Sequence, residues 1–169
     1  MTPVLSYVAL GANLGEAETT VRAAIAALGR LPGTQLVAAS SLYRTAPLEV
    51  PEPQPDYINA VARLATTLTP HALLDELLAL EARFGRVRPY RWAPRALDLD
   101  LLLYGDVVLD TPRLTLPHPR LHRRAFVLEP LLELDPFLEA PSLGPLSAWR
   151  ARLSDQDVER LLPLSLIHI

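Results

Sequence analysis

Residues 97–104 read Leu97-Asp98-Leu99-Asp100-Leu101-Leu102-Leu103-Tyr104, followed by the turn residues Gly105-Asp106. A short apolar run bounded by a turn is the mark of a buried strand. Two acids interrupt it at alternate positions. Side chains two apart on a strand share a face, so Asp98 and Asp100 stand side by side while Leu97, Leu99 and Leu101 turn to the core. Aspartate is depleted in strand interiors, and neighbouring carboxylates repel unless a cation lies between them. The pair is therefore either solvent-facing on an open sheet face or a hard-oxygen cation site. The second suits Mg²⁺, which takes one or two carboxylates and completes its octahedron with water and phosphate oxygens.

Working outward from this strand gives the fold. Val4 to Leu10 reads as a buried strand and Gly11-Ala12-Asn13-Leu14-Gly15 as a turn. Val21, Ile25 and Leu28 recur at helical spacing between Glu16 and Leu31, and Pro32-Gly33 stops that helix. Residues 34–44 read as a second strand. Thr45 to Pro55 holds four prolines and reads as a loop of the kind that binds or covers a ligand. Tyr57 to Leu64 is a third strand. Thr69-Pro70 caps and opens a helix with a broad leucine face up to Phe84-Gly85. Residues 86–96 are an Arg-rich loop leading into the aspartate strand. The order is strand, helix, strand, strand, helix, strand, an α+β pattern of the ferredoxin-like βαββαβ type with helices on an antiparallel sheet. Downstream come a short Val107–Leu109 segment, a loop over 110–122, a helix from Arg123 or Arg124 to Leu134, and two weak helices. The expectation is a single domain over 1–169, with its core at about 4–134 and a C-terminal extension over 135–169.

Composition narrows the chemistry. The chain has 169 residues and no cysteine. Disulfides and thiolate metal sites are excluded, and a cytoplasmic address is expected; the expected oligomeric state is a monomer. The start lacks the pattern of a signal peptide, and no apolar stretch approaches the roughly 20 residues of a membrane helix. Net charge is −3, which disfavours nucleic acid as a partner. Charge is unevenly spread: residues 81–124 hold nine Arg against five acids, and the remainder seven Arg against fourteen. A basic island on an acidic chain suits a confined anionic ligand. All 16 basic residues are Arg, so a Lys-dependent phosphate loop and Lys nucleophiles are closed.

Arg86, Arg88, Arg91 and Arg95 precede the aspartate strand, and Arg113, Arg120, Arg123 and Arg124 follow it. They form either a solvated basic surface or a set of two-point grips on phosphate. With two strand aspartates between them, the second alternative is the equipment of phosphoryl transfer, where positioning and charge neutralisation dominate. His118, between Pro117 and Pro119, is either structural or a donor to phosphate. Tyr57 and Asn59 share a strand face; they are either a half-buried tyrosine with a strand-edge amide, or a stacking and hydrogen-bonding pair for a flat heterocycle.

Taken in order, these pieces resemble the 6-hydroxymethyl-7,8-dihydropterin pyrophosphokinase family over roughly residues 4–134. Gly11-Ala-Asn13-Leu14 resembles its opening turn, and Ser41-Leu-Tyr-Arg44-Thr45-Ala-Pro47-Leu48 the segment that follows. Asp56-Tyr57-Ile-Asn59 resembles its pterin-binding motif. Arg91-Trp92-Ala93-Pro94-Arg95-Ala-Leu-Asp98-Leu-Asp100 resembles its signature, and Arg113-Leu-Thr115-Leu-Pro117-His118 its last motif. Ala12 departs from the usual Ser, Ala93 from the usual Gly, and Pro119 from the residue that often follows the histidine.

The resemblance implies transfer of diphosphate from ATP to 6-hydroxymethyl-7,8-dihydropterin in folate biosynthesis, with AMP released. It implies that Asp98 and Asp100 hold two Mg²⁺ ions, with Arg86, Arg91 and Arg95 completing the catalytic set and Asp98 also adjoining the pterin. It implies an ATP site of Glu81, Arg86, Arg88, Trp92, Arg95, Leu101, Arg113, Thr115, His118 and Arg124. The pterin would lie between Tyr57 and Phe126, with Thr45, Pro47, Leu48, Asn59 and Trp92 around it. The 45–55 and 86–95 segments would be closing loops. A metal-dependent phosphodiesterase or nucleotidyl transferase would also use paired aspartates, and a non-catalytic binding module of the same fold would need none.

Overall fold

The computed structural model describes residues 2–13, 15–46, 55–85 and 96–161. Its centre is three long antiparallel strands. β1 (Val4–Ala12) lies between β4 (Tyr57–Thr66) and β5 (Asp98–Tyr104). On the far side of β4 sit β2 (Thr34–Ala39) and β3 (Tyr43–Thr45), at opposite ends of the same edge. β10 (Glu159–Arg160) extends the sheet beyond β3. Every pairing is antiparallel, so the fold is α+β.

Strand alternation separates the two faces. Val8, Leu10 and Ala12 of β1, with Leu99 and Leu101 of β5 and Ala60, Ala62 and Leu64 of β4, form one apolar layer. α1 (Ala17–Leu28) covers it with Val21, Ala24 and Leu28, and α2 (Pro70–Arg83) with Leu73, Leu77 and Leu80. α2 begins where expected: the Thr69 hydroxyl accepts from the Ala72 N–H, and Pro70 occupies the first turn.

The opposite face is divided. Tyr7, Val61, Leu102 and Leu103 pack beneath α3 (Ala125–Leu134) and α4 (Leu146–Ala151) through Val127, Leu128, Leu131 and Leu146. The end carrying Ala9, Gly11, Asn59, Asp98 and Asp100 lies beside a cavity. A bulge between the β1 and β5 registers marks the change: Tyr7 pairs with Leu103 and Val8 with Leu101, leaving Leu102 extra.

Three expectations need correction. The second strand does not run through 34–44. The five residues from Ala39 to Tyr43 oppose the four from Asn59 to Ala62 on β4, so the strand breaks into β2 and β3. Ser40 bridges the break: its backbone N–H donates to the Val61 carbonyl and its hydroxyl accepts from the Val61 N–H, both at 2.9 Å. The 110–122 loop contains β7 (Thr115–Leu116), paired with β6 (Leu109–Asp110), before a 3₁₀ turn at Leu121–Arg123. Among its described residues, the C-terminal region has one short helix, α4, where two were expected. It also forms a hairpin of β8 (Glu139–Ala140) and β9 (Gly144–Pro145), and adds β10. Among the described residues, no helix is long and apolar enough to cross a membrane.

Glu133 of α3 ties the break to the helix layer. Its carboxylate accepts from the Ser41 N–H and hydroxyl at 3.0 Å and from the Tyr43 hydroxyl at 2.6 Å, and pairs with Arg160 of β10. The Ser41 amide, left out of the ladder by the break, thus finds an acceptor. Burial, then the hydrogen bond and charge of Glu133, push the Tyr43 phenol well above its ordinary pKa. Glu133→Ala strips the acceptor from these donors and is expected to lower stability by ~1–3 kcal/mol. Urea denaturation reads this as a lower midpoint with unchanged slope; an unmoved midpoint would show that solvent replaces the carboxylate.

Candidate active site

Register brings the chemistry-bearing residues into rows across the open sheet face. Asp98 of β5 and Asn59 of β4 both lie opposite Gly11 of β1. One row on, Asp100 and Val61 both lie opposite Ala9. Small residues on the central strand leave room between acids and amide. A Cβ on Gly11 would come within 3.3 Å of the Asn59 side-chain oxygen, so any larger residue crowds the floor.

Asn59 is buried, and its amide nitrogen donates to the Thr45 hydroxyl at 2.9 Å. That bond fixes which way the amide faces. Thr45 in turn pairs with Tyr57 across β3 and β4. Thr45, Tyr57, Asn59, Asp98, Asp100, Arg124 and Phe126 line one cavity of about 480 Å³.

The opposing wall comes from the 3₁₀ turn and the start of α3. Arg120, Arg123 and Arg124 line the cavity there. The Arg124 guanidinium stands 5.5 Å from the centre of the Phe126 ring, a cation–π distance. Burial lowers the Arg124 pKa, Asp100 and Asp98 draw it back up, and Arg120 opposes them. Arginine stays protonated throughout, so a partly buried cation faces the two carboxylates.

His118 sits beside Asp100, with Nε2 3.9 Å from Oδ1. Its Nδ1 accepts the Arg120 backbone N–H at 3.1 Å. The neutral ring therefore carries its proton on Nε2, the nitrogen nearer Asp100. Burial lowers the His118 pKa below 6.5; Asp100 raises it, and Arg124 and Arg120 lower it. At neutral pH the ring is a neutral donor aimed at the acid row.

The remaining sequence candidates fall elsewhere. The Glu81 carboxylate accepts the Leu99 N–H at 2.7 Å, at the outer edge of β5. Arg113 pairs with Asp75 of α2. Thr115 lies on β7, and the Leu101 side chain is in the apolar layer under α1 and α2. These four do not line the cavity, and His118 reaches it only through its place beside Asp100. Pro47, Leu48, Arg86, Arg88, Arg91, Trp92 and Arg95 lie outside the described residues. The cavity also has members the sequence reading gave no role. Gly11 and Ala9 follow from register, and Arg120 and Arg123 were legible only as part of the basic island. Gln156, from the C-terminal region, carried no signal.

Among the described residues, no group of three His, Cys, Asp or Glu side chains is placed to hold a metal. Asp98 and Asp100 provide two hard oxygen donors. That is the partial set Mg²⁺ uses when phosphate and water complete its coordination.

An α+β fold with two strand carboxylates near arginines and a histidine, beside a buried amide and two aromatic rings, carries the residue types that phosphoryl-transfer enzymes acting on a flat ring use. Comparison with known proteins names that class more closely. Residues 7–136 match the model of the 7,8-dihydro-6-hydroxymethylpterin-pyrophosphokinase family, and the chain belongs to it. A Pseudomonas aeruginosa protein named 2-amino-4-hydroxy-6-hydroxymethyldihydropteridine pyrophosphokinase is 50% identical over 155 residues, covering 92% of this chain and 95% of its own. The Haemophilus influenzae protein of the same name is 42% identical over 160 residues, covering 95% and 99%. Two solved structures share the fold. One is an HPPK-DHPS in complex with substrates, at TM-score 0.73 and 10% identity. The other is the Plasmodium falciparum HPPK-DHPS with pteroate, at TM-score 0.72 and 11% identity. This chain spans 44% and 43% of those longer chains.

The histidine geometry is testable by NMR. In uniformly labelled protein, with His118→Gln used for assignment, the His118 ring is expected as the Nε2–H tautomer titrating below 6.5. Asp100→Asn should lower that pKa further, because it removes the group that favours the imidazolium. A rise on Asp100→Asn would contradict the arrangement.

Proposed function

We infer that this chain transfers the diphosphate of ATP to the hydroxymethyl group of 6-hydroxymethyl-7,8-dihydropterin, releasing AMP, as a step of folate biosynthesis. The observation that carries the reading is the sharing of one cavity by the aspartate row and the Asn59–Tyr57–Phe126 group, in a chain of the pyrophosphokinase family. Phosphate chemistry and ring recognition then lie side by side, as transfer between them requires. The strand order β2/β3–β4–β1–β5, antiparallel throughout, supports reading the fold as ferredoxin-like. Residues 1–169 act as one pyrophosphokinase domain in a single chain.

The pterin hydroxyl oxygen attacks the β-phosphorus of ATP. The bond from that phosphorus to the α–β bridging oxygen breaks, AMP departs, and the hydroxyl proton is released. Asp98 and Asp100 would hold two Mg²⁺ ions, which when bound neutralise and orient the phosphate oxygens. Arg124 adds fixed positive charge opposite the acids, and His118 Nε2–H donates to an oxygen near Asp100. Asn59 is held by Thr45 so that its amide oxygen reads the ring edge, while Tyr57 and Phe126 take its faces. Arg86, Arg88, Arg91, Trp92 and Arg95 would add to the phosphate and nucleotide side, and Pro47 and Leu48 to the pterin side. Glu81, Arg113 and Thr115 would serve the nucleotide from beyond the outer edge of β5, with Leu101 contributing only backbone, since its side chain is buried in the apolar layer.

Incubation with ATP, Mg²⁺ and the dihydropterin, followed by chromatography, should give AMP and pterin diphosphate in equal amounts. ADP in place of AMP would refute diphosphate transfer. Asp98→Ala and Asp100→Ala should fold, yet turn over about a hundredfold or more slowly. Near-normal turnover in both would remove the metal assignment. Tyr57→Ala should weaken pterin binding about tenfold, with ATP affinity within about twofold of wild type. The reverse pattern in titration calorimetry would mean that the two substrates have been assigned to the wrong ends of the cavity.

A further inference from the structure

We propose that Gln156, twenty residues beyond the family-matched segment, is a positioning residue that sets the Arg124–Phe126 wall of the pterin pocket. The inference rests on the pterin reading above. α3 starts at Ala125, and its cap residue Arg124 offers no side-chain acceptor to the first-turn amides. Such amides need partners from outside the helix. Gln156 provides one: its Oε1 accepts the Ala125 N–H at 2.9 Å. Its Nε2 donates to the Arg123 carbonyl at 3.1 Å. One side chain therefore holds the backbone on both sides of Arg124.

The loop bearing Gln156 is itself fastened. Arg150 of α4 pairs with Glu129 of α3, donates to the Leu153 carbonyl at 2.8 Å and reaches the Gln156 carbonyl at 3.4 Å. The Gln156 N–H closes the turn onto the Leu153 carbonyl at 2.9 Å. A clamp runs from the middle of α3, through Arg150 and this loop, back to the first turn of the same helix. The amide supplies both the acceptor and the donor this position uses. Glutamate keeps the acceptor, and leucine keeps neither. Arg124 is also drawn by charge toward Asp100 and Asp98, whereas Phe126 takes its place from the clamped turn. Loss of the clamp should therefore reach the pterin side first.

The test compares wild type, Gln156→Leu and Gln156→Glu by titration calorimetry with the dihydropterin and, separately, with ATP and Mg²⁺. Gln156→Leu should raise the pterin Kd about five- to tenfold, the scale of one net hydrogen bond. The ATP Kd should move less than about twofold. Gln156→Glu, which still accepts from the Ala125 amide, should bring the pterin Kd back to within about twofold of wild type. A purely structural residue would lower the melting temperature and leave both affinities unchanged; that result, equal losses for both ligands, or no recovery in Gln156→Glu would overturn the proposal. If wild type itself fails to bind the dihydropterin, the underlying pterin reading falls instead.

Discussion

β5 must be two things at once, and the rest of the molecule is arranged around that demand. On one face it is leucine, sealed under α1 and α2; on the other it carries two carboxylates at a cavity. Strand alternation makes this possible in a way no helix could, because adjacent residues are sent to opposite solvents. The apolar face anchors the strand, so the acids are carried on rigid backbone. Glu81 adds to this by accepting the Leu99 amide at the strand's outer edge. A metal-and-phosphate site gains from such fixity, since its chemistry depends on position more than on covalent participation.

Across the cavity, precision comes from polar clamps. Asn59 is oriented by Thr45, His118 by the Arg120 amide, β3 by Glu133, and the start of α3 by Gln156. In all but the Asn59–Thr45 pair, the clamp lies at a backbone irregularity: a strand break, a tight turn, or a helix end. The irregularities are where the regular ladders leave groups unpaired. They also surround the site, so backbone satisfaction and ligand placement share the same bonds.

Much of this was legible in the sequence. The two-residue spacing of Asp98 and Asp100 placed both on one face, and the same spacing put Tyr57 and Asn59 together on β4; all four line the cavity. The order of β1, α1, one edge strand over 34–44, β4, α2 and β5 followed from periodicity and from Pro and Gly punctuation. What escaped notice depended on partners distant in the chain. The break at Ser40 is decided by Val61 and Glu133, and a run of strand-forming residues gives no hint of it. Gly11 looked like a turn glycine; its position opposite both Asp98 and Asn59 is a matter of register. Gln156 lies in a polar stretch with no period, and its role exists only once α3 has been folded beside it.

The extra residue at Leu102 carries a consequence of its own. It resets the alternation of β5, so that the face bearing acids near the cavity carries Leu102 and Leu103 beneath α3 and α4. The segment 98–104 is therefore constrained in length more tightly than in composition. Exchange among aliphatic residues of similar volume respects both faces, while a gain or loss of one residue puts carboxylate and hydrocarbon out of phase at one end. Across the family's history, this stretch should drift by substitution and resist insertion and deletion.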